Sequence, residues 1–201
     1  MLRDYPKEVT LKDGRSVVIR PLTPEDERAL RDFYASLSPE DRRYLRHDVA
    51  DPGIIREWTH NINHERVVPI VAENPGGEIV AAATLHRQPE SWSPHVAQIR
   101  LVTHPGYRRI GLGMQMAREI FSIAVFLRVE KVVAEVVEDQ TAALHIFEKM
   151  GFEREALLKN HVIDREHEKR NLVILSAYLS SLWEQITDMV MDSLRVSAGD
   201  Y

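Results

Sequence analysis

Two arginines, Arg108 and Arg109, precede two glycines one residue apart, Gly111 and Gly113, at the head of a helical pattern in HPGYRRIGLGMQMAREIF, residues 104–121. Glycine lets the backbone turn so that successive N–H groups converge. At the start of a helix the unpaired donors and the macrodipole make that convergence an anion site, so the spacing points to a phosphorylated ligand. Three glycine-rich phosphate patterns can be set against it. A P-loop needs Gly-Lys-Ser/Thr after its first glycine and four residues, and neither the lysine nor the hydroxyl is there. The dinucleotide fingerprint needs a third small residue where Met116 stands, and its glycines follow the strand sooner. The pattern Arg/Gln-x-x-Gly-x-Gly/Ala is satisfied by Arg108, Gly111 and Gly113.

The chain that must position this loop has 201 residues, 44% hydrophobic and 28% charged, with 9 glycines and 10 prolines. That is the profile of one globular domain with at most an appended element. A formal net charge of -5 argues against nucleic acid or an anionic membrane surface as partner and suits a cationic acceptor. With no cysteine, disulfides, thiolate zinc sites and a cysteine nucleophile are all excluded. His60 and His64 stand four apart in HNINHE but have no recognisable third ligand, so no metal is expected. The longest apolar run, around Ile120 to Leu127, is far short of a membrane span, and the charged start MLRDYPKE is no signal peptide. A cytoplasmic protein is expected.

Asp13-Gly14 marks a turn before a first strand over Val17 to Ile19, which Pro21 stops. Thr23-Pro24 and Ser38-Pro39 are helix starts, predicting two helices, the first with Leu30, Phe33, Tyr34 and Leu37 on its inner face. RVVPIVAEN and EIVAAATLHR around the turn PGG predict a hairpin, and HVAQIRLVTH a further strand. A helix over 111–127, a strand KVVAEVV, a short helix QTAALHIFEKM closed by Gly151, and strands FEREALLKNHVI and RNLVILSAYL complete the pattern. Residues 1–178 read as one domain. Residues 179–201 read as an appended amphipathic helix, with Leu179, Leu182, Trp183, Ile186, Met189, Val190 and Leu194 at helical spacing, packing on its own domain or forming a homodimer contact.

The glycine pattern resembles the pyrophosphate loop of the GNAT superfamily of acyl-CoA N-acyltransferases. Its companions strengthen the resemblance: QIRLVTHPGYRRIGLG is similar to the family's fourth strand and loop, and DQTAALHIFEKMGFE to the motif that follows it. The likeness covers residues 15–178, and the opening DGRSVVIRPLTPEDERALRDFYASLSPEDRRYLR is loosely similar to the acetyltransferase domains of bacterial protein-lysine acetyltransferases. It implies an α/β fold with a mixed, mostly antiparallel twisted sheet flanked by helices. It further implies acetyl-CoA as co-substrate and an amine acceptor, either a small molecule or a protein lysine. On the family's pattern the diphosphate meets Arg108 and the backbone from Arg109 through Ile110, Gly111, Leu112 and Gly113 to Met114. Leu101 and Val102 offer strand-edge groups to the pantetheine amides, and Gln140, Ala143 and Phe147 fall at the positions of the second motif.

Amine acetylation requires a neutral amine and releases a thiolate. With pKa values of about 10.4 and about 8.5, at about 1.36 kcal/mol per unit, deprotonating the amine at pH 7 costs roughly 4.6 kcal/mol against roughly 2 for the thiolate's proton. A general base therefore matters more than a general acid. The family's tyrosine acid maps to Phe147, its asparagine to Gln140, and its fourth-strand glutamate to Gln98; none of the three can transfer a proton. His145, two positions before Phe147, is a substitute acid, although it points to another side of the helix. Glu135, flanked by apolar residues in VVAEVV, is the candidate base, because desolvation favours the protonated carboxyl. A surface glutamate, or one paired with an arginine such as Arg100, is the alternative. The competing function is an acyl-CoA sensor or interaction module with weak or no catalysis, which Phe147 and Gln98 favour.

Overall fold

A computed structural model of the chain describes residues 5–180; the expected tail helix, and with it the homodimer contact, lies outside the described residues. Strands β1 (Lys7–Thr10) and β2 (Ser16–Pro21) form a hairpin. Its turn is made by Asp13-Gly14, with Gly14 at φ 86. The sequence pattern predicts only the second of these strands. β1 has Val9 as its one β-branched apolar residue among charged neighbours, and it becomes a strand by pairing along the edge of β2.

Thr23-Pro24 opens a 3-10 turn over Pro24–Asp26, and α1 (Glu27–Ser36) follows, burying Leu30, Phe33 and Tyr34 as the pattern requires. α2 (Pro39–Arg43) is capped by the Ser38 hydroxyl, which accepts the Asp41 N–H at 3.1 Å. A third helix, α3 (Pro52–His60), corrects the expectation of two. It repeats the same start signal at Asp51-Pro52, where the carboxylate accepts the Gly53 N–H at 2.8 Å. β3 (Val67–Glu73), β4 (Ile79–Arg87) and β5 (Val96–Thr103) lead into α4 (Leu112–Phe126). Then come β6 (Lys131–Val137), α5 (Thr141–Lys149), β7 (Glu153–Ile163) and β8 (Lys169–Tyr178).

The eight strands make one sheet in the order β1-β2-β3-β4-β5-β6-β8-β7. Every neighbouring pair is antiparallel except β5 and β6, which α4 connects as a parallel crossover. Helices cover both faces. One face packs α4 and α5 over Leu85, Ile99, Val132 and Leu175, with Leu112, Met116 and Ile120 fully buried. The other packs α1 and α3 through Leu30, Phe33, Tyr34 and Ile55 onto Val71, Ile79 and Ala82. Among the described residues no helix is long and apolar enough to cross a membrane.

The parallel pair is short. β5 and β6 are in register only from Val96↔Lys131 to Gln98↔Val133, yet β5 runs on to Thr103 and β6 to Val137. On their outer sides both strands stay paired, β5 with β4 as far as Ala81↔Thr103 and β6 with β8 as far as Val137↔Leu172. The sheet therefore opens as a wedge at its centre, toward the carboxyl ends of its two parallel strands. In open α/β sheets that end of a parallel pair is where ligands bind.

Candidate active site

The glycine loop closes the mouth of the wedge. After β5, the His104 ring nitrogen Nδ1 accepts the Gly106 N–H at 3.1 Å and starts a 3-10 turn over Pro105–Tyr107. Arg109 (φ 64) and Gly111 (φ 92) then both take the left-handed conformation, and Gly111 caps α4. That backbone explains Gly111, since an L side chain there is strained. Gly113 is different: a Cβ on it would make ordinary contacts with Thr103 Oγ1 at 3.7 Å and Leu101 Cδ2 at 3.8 Å, so the protein's own packing does not demand glycine. Within α4 the Gln115 N–H reaches the Gly111 carbonyl at 3.1 Å. The N–H groups of Leu112, Gly113 and Met114 thus stand at the open end of the helix without intrahelical partners.

The two arginines of the loop diverge. Arg108 is engaged with protein, donating Nη2 to Asp41 Oδ1 at 2.6 Å and Nε to the Thr103 carbonyl at 3.3 Å. Arg109 is exposed and makes no ion pair among the described residues. The β1–β2 turn supports the loop from the other side. Lys12 donates its N–H to the Ile110 carbonyl at 3.1 Å, and Arg15 donates to the Gly106 carbonyl at 2.9 Å while stacking 4.2 Å from the Tyr107 ring centroid. This donor set fits a diphosphate: three N–H groups, the positive end of a fifteen-residue helix and one guanidinium unpaired among the described residues.

Inside the wedge, register places a second group of side chains on one face. His86 lies opposite Gln98 and Gln98 opposite Val133; one step along, Thr84 lies opposite Arg100; Glu135 follows Val133 by two. Arg46 and His47, from the segment between α2 and α3, and Tyr34 of α1 cover this face. Glu135 forms an ion pair with Arg46, and Arg100 donates Nη2 to Gln98 Oε1 at 3.1 Å. Burial pushes the Tyr34 hydroxyl up to about 12. Burial, with Arg46 nearby, lowers Arg100 from its ordinary value.

His86 is held neutral. Burial first, then the charges of Arg100 and Arg46, lower it to about 4, and its Nε2 shares a hydrogen bond with the Thr84 hydroxyl at 2.9 Å. Because the folded state resists a proton that the unfolded chain accepts near its model value of 6.5, stability falls as pH drops from 6.5 toward 4. With the screening of a partly exposed ring allowed for, the loss is about 2 kcal/mol. Urea unfolding at pH 7 and pH 4.5 measures it, and in His86→Gln the part of the pH dependence due to this ring is expected to vanish.

A strap holds the cover in place. The turn between β7 and β8 inserts Asp164, whose side chain is fully buried, toward Arg43 and Arg170, each at 2.9 Å. Burial alone would raise this carboxyl. The two guanidiniums and the N–H groups of Glu166 and Glu168 reverse that and hold it well below the usual range. In the same turn Arg165 reaches Asp48 at 2.8 Å and the His47 carbonyl at 2.6 Å.

Several sequence-predicted residues fall together around the wedge: Leu101 and Val102 on the strand β6 has left, Ile110 to Met114 at its mouth, and Glu135 across it. Leu112 contributes backbone only, its side chain being core. Gln140 precedes α5 and accepts the Val137 N–H at 3.3 Å, and Ala143 packs partly buried on the core. Phe147 is buried, edge-on to Phe152 with ring centroids 5.1 Å apart. His145, about 200° away around the helix, is exposed, so the structure does not bring it to the wedge. His60 ends α3 and bonds locally to Arg56 and Thr59. Missed by the sequence reading were Arg46, which follows a five-residue helix without any pattern to single it out, and the placing of Arg100 beside Gln98.

The same architecture recurs in solved structures. The GNAT domain of PAT from S. lividans superposes with a TM-score of 0.71 at 21% identity, over 87% of this chain and 99% of that one. Ribosomal-protein-S5-alanine acetyltransferase from Vibrio fischeri gives 0.72 at 9%, over 81% and 92%. YncA from Salmonella typhimurium, solved with its cofactor acetyl-CoA, gives 0.67 at 15%, over 81% and 94%. No curated protein matches the sequence. The model of the Acetyltransferase (GNAT) family matches residues 28–152, across the cover, the wedge and the glycine loop, and the chain belongs to that family.

Proposed function

We propose that this chain transfers an acetyl group from acetyl-CoA directly to a primary amine, within a single domain over residues 1–178. The observation that carries the reading is the wedge between β5 and β6, opening where the glycine loop starts α4. The N–H groups of Leu112, Gly113 and Met114, with Arg109, hold the diphosphate; the β5 edge at Leu101 and Val102 pairs with the pantetheine amides and stabilises the developing oxyanion. Acetyl-CoA supplies an activated thioester carbonyl. With no cysteine in the sequence to carry an acyl group as thioester, the amine attacks directly, its position set by the wedge.

Glu135 takes the proton. It stands on β6 beyond the last β5–β6 pair, and Arg46 orients its carboxylate. The thiolate leaves without help from Phe147, taking its proton from solvent, which suffices for the smaller of the two proton demands. Acceptors named for structural neighbours include spermidine and a ribosomal protein, so the fold accommodates both small and protein amines. The buried phenylalanine at position 147 also suits the sensor reading. The two part on turnover: CoA release with a panel of amines, read by thiol titration, is expected well above the acetyl-CoA hydrolysis background. Binding of acetyl-CoA with no release for any amine would leave the sensor alone standing.

A further inference from the structure

Arg100 has unmet donors in the middle of the acceptor face. It is the first residue on this face of β5 beyond the last β5–β6 pair. Its guanidinium carries five N–H donors. Nη2 reaches Gln98, while Nε is fully buried and, like Nε of Arg87 on the opposite face of β4, has no hydrogen-bond partner among the described residues. Buried donors are nearly always paired, and Arg100, unlike Arg87, stands on the face it shares with Glu135, where an arriving group can meet its remaining donors. Glu135, the carboxylate across the wedge, does not fill the role, because Arg46 holds it.

The charge of the face points the same way. Arg46 and Arg100 are two cations against Glu135, the other carboxylate that acts on this group, Glu57, being exposed on α3; His86 stays neutral, and His47 is lowered by burial, by Arg100 and by Arg46. A chain of net charge -5 therefore presents locally a positive face to its acceptor. A polyamine would add a cation to it, and a lysine side chain would leave the guanidinium uncompensated. A carboxylate matches the planar fork of an arginine and pairs with it through two parallel hydrogen bonds.

We propose that Arg100 binds the carboxylate of the acceptor and that the chain acetylates a small aminocarboxylate. This rests on the acyltransferase reading. With its carboxylate on Arg100, the substrate's amine extends across the wedge toward Glu135. The nitrogen forms a bond to the acetyl carbon as the thioester C–S bond breaks, the amine proton passes to Glu135, and the thiolate is protonated by solvent.

The test compares proteinogenic L-amino acids, β-alanine and γ-aminobutyrate, each beside its carboxamide, with spermidine and a capped lysine peptide, by CoA release. At least one acid is expected to exceed its amide about a hundredfold in kcat/KM. That ratio should collapse toward one in Arg100→Gln and partly recover in Arg100→Lys, while Tm and acetyl-CoA affinity by calorimetry report intact folding of both variants. Preference for spermidine or the peptide over every acid, or a ratio that survives Arg100→Gln, overturns the proposal and leaves acetyl transfer standing. Calorimetry with the same acids in the presence of CoA separates the converse. Acid binding that Arg100→Gln abolishes, without CoA release, keeps the carboxylate site and sinks the transfer. Neither binding nor release sinks both.

Discussion

Replacing Glu135 by glutamine lowers kcat about a thousandfold and leaves acetyl-CoA affinity within twofold. Glutamine keeps the shape of the side chain and an oxygen for Arg46, but it cannot accept a proton. Positioned bases contribute typically 10²–10⁴-fold, and deprotonation is the larger of the two proton demands in this reaction. Among the described residues two rings on this face could compete: His47, which burial also lowers, and His86. Lowered to about 4 and already sharing a hydrogen bond with Thr84, it is a weak proton acceptor. Steady-state kinetics across pH 6 to 10, with calorimetry for the co-substrate, check the expectation. A decrease below tenfold would restrict Glu135 to orienting Arg46.

Gly111→Trp weakens acetyl-CoA binding at least a hundredfold. The residue caps α4 in left-handed backbone at φ 92, so any L side chain costs about 1–2 kcal/mol in strain. For a chain of this size that lowers Tm by roughly 2–8 °C. The indole also stands beside the N–H groups proposed to receive the diphosphate. The strain and the obstruction separate with a control: Gly77, in the β3–β4 turn at φ 80 with nothing around its would-be Cβ, bears the same strain when changed to alanine. Gly77→Ala should therefore bind acetyl-CoA normally at a similar Tm cost. Equal loss of binding in both variants would show that the effect is general destabilisation.

The glycine loop was legible in the sequence because it is local. Arg108, Gly111 and Gly113 lie within six residues, and a helix start needs no distant partner to be recognised. The wedge that makes the loop useful was not legible. It depends on β5 and β6 pairing for three residues and then parting, a matter of register between segments thirty-five residues apart, and nothing in HVAQIRLVTH or KVVAEVV marks the point. The edge strand β1 escaped for a related reason, since its polar residues become a strand only beside β2. α3 was legible and passed over, since Asp51-Pro52 repeats the two start signals that were read. The acceptor face was hardest to foresee, because Arg46, His86 and Arg100 come from three separated elements and their shared environment exists only in the folded chain.

The strap around Asp164 bears on how this protein can diversify. Segments more than a hundred residues apart, the end of α2 with the connection after it and the β7–β8 turn, are joined through the buried Asp164 on Arg43 and through Arg165 on Asp48 and the His47 carbonyl. A β7–β8 turn transplanted alone from a relative would leave Arg43 and Asp48 facing strangers, or strand a buried charge. The two loops act as one part, and an engineer who exchanges one has to exchange the other with it.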